Sequence, residues 1–199
     1  MTRWIDAGSG RPRGPAALAR AWVGVLTRPR QFFREAVVPG DQAPGLVFAM
    51  AVVAVEETTR LLLVPDAVPA VADWPALSAA FWLGVAVLLV APAALHLVAA
   101  LQTVLLVPFV DDRGTVSETV QVLGYATAPC VLAGVPIPGV RSVVAVWGAV
   151  LLVLGISEVH GPWFEPAAVL SALPAAIVFG YGFRGFGAIA TLLRRWYVI

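Results

Sequence analysis

Residues 77–110 run for 34 positions without an Asp, Glu, Lys or Arg. A helix needs roughly 20 mostly apolar residues to cross a hydrocarbon core about 30 Å thick. As one helix the stretch would measure about 51 Å at 1.5 Å per residue. Two crossings would need a polar turn between them, and none is present. The stretch therefore reads as one tilted span at about 77–109 that projects from the bilayer. It is expected to kink at Pro92, whose ring removes a helical N–H and crowds the preceding turn. The remaining composition agrees. Of the 199 residues 60% are hydrophobic, against roughly 45–50% in soluble domains, and mean hydropathy is +0.88.

Four further apolar segments lie at about 44–64, 119–135, 140–157 and 166–183. The expected fold is all-α: a polytopic transmembrane bundle of about five spans at 44–183, preceded by an amphipathic segment. Gly124, Pro129, Gly148, Gly155 and Pro174 fall inside these spans, which membrane helices tolerate because neighbouring helices re-satisfy freed backbone groups. Residues 1–14 are polar and rich in Gly and Pro, and read as a disordered tail. Residues 15–43 alternate Leu18, Trp22, Val25, Leu26, Phe32, Phe33, Ala36 and Val37 with Arg20, Arg28, Arg30 and Arg34. Pro29 divides them into two short helices, with Thr27 as the N-cap of the second. This segment reads as lying in the membrane interface, or as packing on the ends of the bundle.

Arginine sets the orientation. All 13 basic residues are Arg, and seven precede the first span, whereas loop 65–76 holds Asp66, Asp73 and no positive charge. The positive-inside rule places the N-terminus in the cytoplasm of a multi-pass cell-membrane protein. Five crossings then put the tail 184–199 outside, although it carries Arg184, Arg194 and Arg195. Segment 185–193 is too short to cross again, so either it lies along the outer interface or the last helix is longer.

Several classes of chemistry find no support. A net charge of +1 supplies no field for nucleic acid. The lone Cys130 cannot form an internal disulfide and reads as a small apolar filler. No phosphate loop, serine elbow or Cys/His metal spacing occurs, so neither catalytic residues nor a cofactor or metal is expected.

Charges inside the spans are the remaining candidates. Glu56, Glu57 and Arg60 lie within 44–64, where each charge costs at least a few kcal/mol and must face a partner. Glu56 and Arg60 are spaced i,i+4 with Glu first, the better orientation for a helical pair, and Glu57 and Arg60 are spaced i,i+3. One reading is a self-neutralising pair near the outer interface with Arg60 snorkelling. The other is a proton or ion relay, because one Glu is left unmatched. His96 is the one titratable group in the long span, and either answers Glu56 or Glu57 across the bundle or bonds a nearby backbone group. Glu158 and His160 end the fourth span near Asp111, Asp112, Glu118 and Glu165. A cation or headgroup site there is disfavoured, because i,i+2 spacing points the two side chains about 200° apart on a helix.

The third and fourth spans also carry a recognisable string. Gly114 is followed by Gly124-Tyr125-Ala126 and Pro129, then Ile137-Pro138, Trp147, and Gly155-Ile156-Ser157-Glu158-Val159-His160-Gly161. Before the first span stands Arg28-Pro29-Arg30-Gln31-Phe32-Phe33. Over roughly 20–180 the chain resembles the Yip family, the Ypt-interacting proteins, in their prokaryotic form. That resemblance implies five helices, a cytoplasmic N-terminus, and Tyr125, Pro129, Glu158 and His160 as motif residues. Eukaryotic members bind prenylated small GTPases and act in trafficking and membrane shaping, through a cytosolic N-terminal region longer than the 43 residues before the first span here. The function expected from the resemblance is a non-enzymatic scaffold, adaptor or membrane-shaping protein. Its partners would be the lipid bilayer, other proteins or a second copy of the chain, and a small GTPase by family analogy. The alternative is a small transporter or channel using Glu56, Glu57, Arg60 and His96.

Overall fold

A computed structural model describes residues 14–64, 67–71 and 73–197. The tail at 1–14, except Gly14, lies outside the described residues, as does Asp66. Among the described residues the regular structure is helical: α1 (Pro15–Thr27), α2 (Pro29–Ala36), α3 (Ala43–Leu63), α4 (Pro75–Val85), α5 (Ala91–Leu106), α6 (Val116–Ala126), α7 (Pro138–His160), α8 (Phe164–Ala175) and α9 (Gly185–Arg195). Proline starts many of these helices because its missing N–H is not needed in a first turn.

Three helical stretches are long and apolar enough to cross a membrane: Pro75–Leu106, Pro138–His160 and Phe164–Gly182. The first joins α4 to α5 through a π turn at Ala86–Val90, just ahead of Pro92. There the chain widens by one residue where the proline ring would crowd the turn. The distortion expected at Pro92 is thus a π turn on its N-terminal side. α8 likewise runs into a π turn at Ala176–Gly182 after Pro174. Pro174 cannot bond the Leu170 carbonyl, and the buried Gln102 on α5 donates to it instead, at 3.3 Å.

The other two expected crossings differ from plain apolar helices. α3 has the length, at 21 residues, but carries Glu56, Glu57 and Arg60. The segment expected as a span over 119–135 is an α-helix of 11 residues that tightens into a 3-10 turn at Ala128–Leu132. Its start is a capping box, in which the Thr115 N–H donates to Glu118 Oε2 at 2.7 Å. Apolar length alone therefore gives three crossings, and including the charged and the broken element gives five.

α6 is the centre of the molecule. Every residue from Thr119 to Cys130 is buried, with α1, α3, α5 and α7 packed around α6 and the turn that follows it. Non-helical backbone at membrane depth is tolerated where protein covers it and meets its polar groups. Here Thr127 Oγ1 donates to the Gly124 carbonyl at 2.7 Å, Trp22 Nε1 to that of Ala128 at 2.8 Å, and Arg141 Nε to that of Ala133 at 2.9 Å. α3 crosses α6 through two glycines. A Cβ on Gly45 would lie 2.5 Å from the Gln121 Cα, and one on Gly124 would overlap the Gly45 carbonyl oxygen.

The N-terminal segment packs on the bundle. Ala17, Ala21, Val25, Phe33 and Ala36 are buried while Arg20, Arg28, Arg30 and Arg34 stay exposed. Arg28 separates α1 from α2. Thr27 does not cap α2 as expected; its hydroxyl bonds back to the Val23 carbonyl in its own helix at 2.7 Å. The tail after 183 contains a distinct helix, α9, packed on α7. Arg184 turns the chain into it with a left-handed φ of 59°.

Candidate functional site: two charged knots joined by a buried helix

At the end of α3 the sequence places two carboxylates and one guanidinium, and the fold supplies the missing cation. Arg184 forks between them: Nη1 to Glu56 Oε1 at 2.5 Å and Nη2 to Glu57 Oε1. The other Glu57 oxygen takes Arg60, with Nη2 at 2.6 Å and Nε at 2.8 Å, and Arg60 also donates to the Ala67 carbonyl at 2.8 Å. Two Glu and two Arg thus form a neutral knot between α3 and the start of α9. The helical pair is Glu57–Arg60 at i,i+3, which corrects the expected i,i+4 pair of Glu56 and Arg60. Glu56, 2% exposed, is instead held by a residue 128 positions away.

Burial lowers the affinity of the Arg184 guanidinium for its proton, but the Glu56 and Glu57 carboxylates outweigh that and hold its pKa above the ordinary value. Gly134 lets the turn after Ala128–Leu132 lie against α3 here. A Cβ there would overlap the Glu56 carbonyl oxygen and come within 3.0 Å of the Arg60 nitrogen.

His96 does not join this knot. Its Nδ1 lies 2.7 Å from the carbonyl of Pro92, one turn back in the same helix. Of the two readings the sequence allowed, the structure shows the bond to a nearby backbone group and not a pairing with Glu56 or Glu57 across the bundle.

The motif residues from the third and fourth spans meet the segment before the first span. Tyr125 is fully buried and makes edge-to-face contacts with Phe32 on α2 and Phe48 on α3, at centroid distances of 4.9 and 5.3 Å. Such pairs add about 0.5–1.5 kcal/mol beyond burial. Phe33, also fully buried, lies against Gly155 of α7. Pro129 is buried in the 3-10 turn and ends the α-helical part of that span. Gln121 completes the layer: Nε2 donates to the Val38 carbonyl at 2.7 Å, and Oε1 accepts from the Val38 N–H at 3.2 Å. Replacing Gln121 by Ala leaves both Val38 groups unpartnered, at a cost of about 1–3 kcal/mol. Hydrogen exchange of the Val38 amide, and proteolysis at 37–42, should both accelerate; unchanged rates would show that the bonds contribute nothing.

A second knot closes the α2 end. Glu158 accepts from Arg34 Nε at 2.6 Å and Arg30 Nη1 at 3.2 Å. His160 points elsewhere, as the i,i+2 spacing predicts. It is buried, with Nε2 at 3.2 Å from Thr119 Oγ1, which lies 3.2 Å from Thr103 Oγ1. Its Nδ1 has no partner among the described residues. Asp111 and Asp112 are exposed, and Glu118 is engaged in its capping box. Among the described residues, no group of three or more His, Cys, Asp or Glu side chains could hold a metal ion.

Sequence reasoning missed Arg184, Gln121, Trp22 and Gln102. For Arg184 a signal existed. Glu56 and Glu57 together exceed Arg60 by one charge, which called for a cation from another element at that end of the bundle. Arg141 and Arg184 were the two available beside the neighbouring span ends.

A helical bundle with three long apolar helices, and with its buried charges matched inside the protein, defines a membrane protein of the polytopic class. A family model described as the Yip1 domain matches residues 23–183, and the chain belongs to that family. No curated protein and no solved structure matches the chain.

Proposed function

We propose that this Yip1-family membrane protein is a non-enzymatic scaffold or adaptor that binds protein partners or shapes the bilayer. It would sit in the cell membrane with its N-terminus cytoplasmic and its C-terminus outside. One observation carries the reading: the charges in the bundle are matched to one another, and apart from Glu57–Arg60 within α3 the matches tie together elements distant in sequence. Arg184 joins α9 to α3, and Glu158 joins α7 to α2. Such ties favour a rigid framework over a pathway that must bind and release an ion. The arginines gathered before α3 support the orientation.

Proteoliposomes and a deletion strain test this. Proton and ion flux should match that of protein-free vesicles. Flux that falls with Glu56→Gln and Glu57→Gln would establish the transport alternative. Deletion should alter membrane morphology, or a pulldown from detergent should recover a specific partner; failure of both would overturn the scaffold reading.

A further inference from the structure

The geometry points to a binding site for the phosphodiester of an anionic lipid headgroup, formed by Arg30 and Arg34 of α2 beside Glu158 of α7. The site follows from the charge arrangement and the membrane class, and stands independently of the scaffold reading.

Arg30 and Arg34 are one turn apart on α2 and share a single carboxylate. Two guanidinium groups and one carboxylate leave one unmatched positive charge, and a phosphodiester carries one negative charge. The bonds to Glu158 use Nη1 of Arg30 and Nε of Arg34. The other N–H groups of both side chains have no protein partner among the described residues. The side chains are 57% and 63% exposed, whereas that of Glu158 is 12% exposed. Glu158 is therefore a largely covered post beneath two exposed planar donor forks, the geometry that suits phosphate oxygens.

The surroundings place this patch at a headgroup level. Phe33, on the same short helix, is fully buried, so α2 cannot roll its arginines away. Arg20 and Arg28 are exposed nearby in sequence and make no ion pair among the described residues. Five residues beyond Glu158, Trp163 is 83% exposed, and Phe164 follows it. Exposed tryptophan at a span end is the usual anchor at a membrane–water interface. A fixed basic fork thus stands at the same helix end as an exposed interfacial ring, which favours a lipid as the source of the phosphate.

The full-length chain, purified in detergent, is titrated with phosphatidylglycerol and separately with phosphatidylcholine, and bound lipid is read by native mass spectrometry. Phosphatidylglycerol should bind more tightly, and Arg30→Gln with Arg34→Gln should weaken it about tenfold. Glu158→Gln separates binding from folding. If the arginines hold lipid, this variant keeps or strengthens phosphatidylglycerol binding; if they only fasten α2, it fails as the double variant does. Arg194→Gln with Arg195→Gln, at the other end of the molecule, should change nothing. Equal binding of the two lipids, an unaffected arginine double variant, or loss with Glu158→Gln would overturn the assignment. So would displacement of phosphatidylglycerol by glycerol 3-phosphate at equal concentration, because the site would then recognise a free phosphate.

Discussion

Arg184→Gln should destabilise the protein by about 3 kcal/mol, the lower end of what breaking a buried pair costs, because the arginine side chain is about a third exposed. The loss arises from what remains: Glu56 stays buried with no cation of its own, and Glu57 keeps Arg60. Reversible unfolding in detergent micelles measures the effect. Adding Glu56→Gln to Arg184→Gln removes the stranded charge and should recover much of the stability, since Glu57 and Arg60 then balance. A cost below about 1 kcal/mol for Arg184→Gln would show that the knot is hydrated and worth no more than a surface pair.

The second large effect comes from one methyl group. Gly124→Ala places a Cβ onto the backbone of Gly45, with the Gly45 carbonyl carbon 2.7 Å away. A backbone cannot move aside as a side-chain tip can, so α3 and α6 must separate along the layer that holds Tyr125 and Gln121. Overpacking typically costs about 1–3 kcal/mol, and the upper end is expected here. Gly84→Ala is the matched control. Nothing lies within 4 Å of its added Cβ, and a helical Gly→Ala change gains up to about 1 kcal/mol. If Gly124→Ala unfolds like the parent protein, the close crossing of α3 and α6 is not a determinant of stability.

The readable parts of this fold were those fixed by local composition. The uncharged run ending at Val110 becomes one helix from Pro75 to Leu106, and Pro92 marks where it distorts. The run around Val140 becomes α7, longer than expected because Pro138 starts it and Gly161, at φ 84°, stops it. The charges were harder. Spacing along α3 favoured Glu56 with Arg60, but the selecting partner, Arg184, lies in a different helix with no local pattern linking the two. His96 was the easier case, because a carbonyl one turn back in the same helix satisfies it and needs no long-range partner. The Tyr125 and Pro129 string was legible as a family signature. That it forms a wrapped centre, with Phe32 and Phe33 arriving from before the first span, depends on tertiary packing that no periodicity encodes.

The buried run from Thr119 to Cys130 also bears on how the molecule is made. Its neighbours are α1, α3 and α5, synthesised before it, and α7, synthesised after it. When the ribosome has just completed this segment, one flank is ready and the other does not yet exist. Until α7 emerges, the side of the 3-10 turn that α7 covers has no protein against it, and Arg141 has not yet reached the Ala133 carbonyl. A chain halted between Cys130 and Pro138 would hold an unfinished middle, a natural substrate for membrane quality control, whereas one that reaches His160 can close around its own centre.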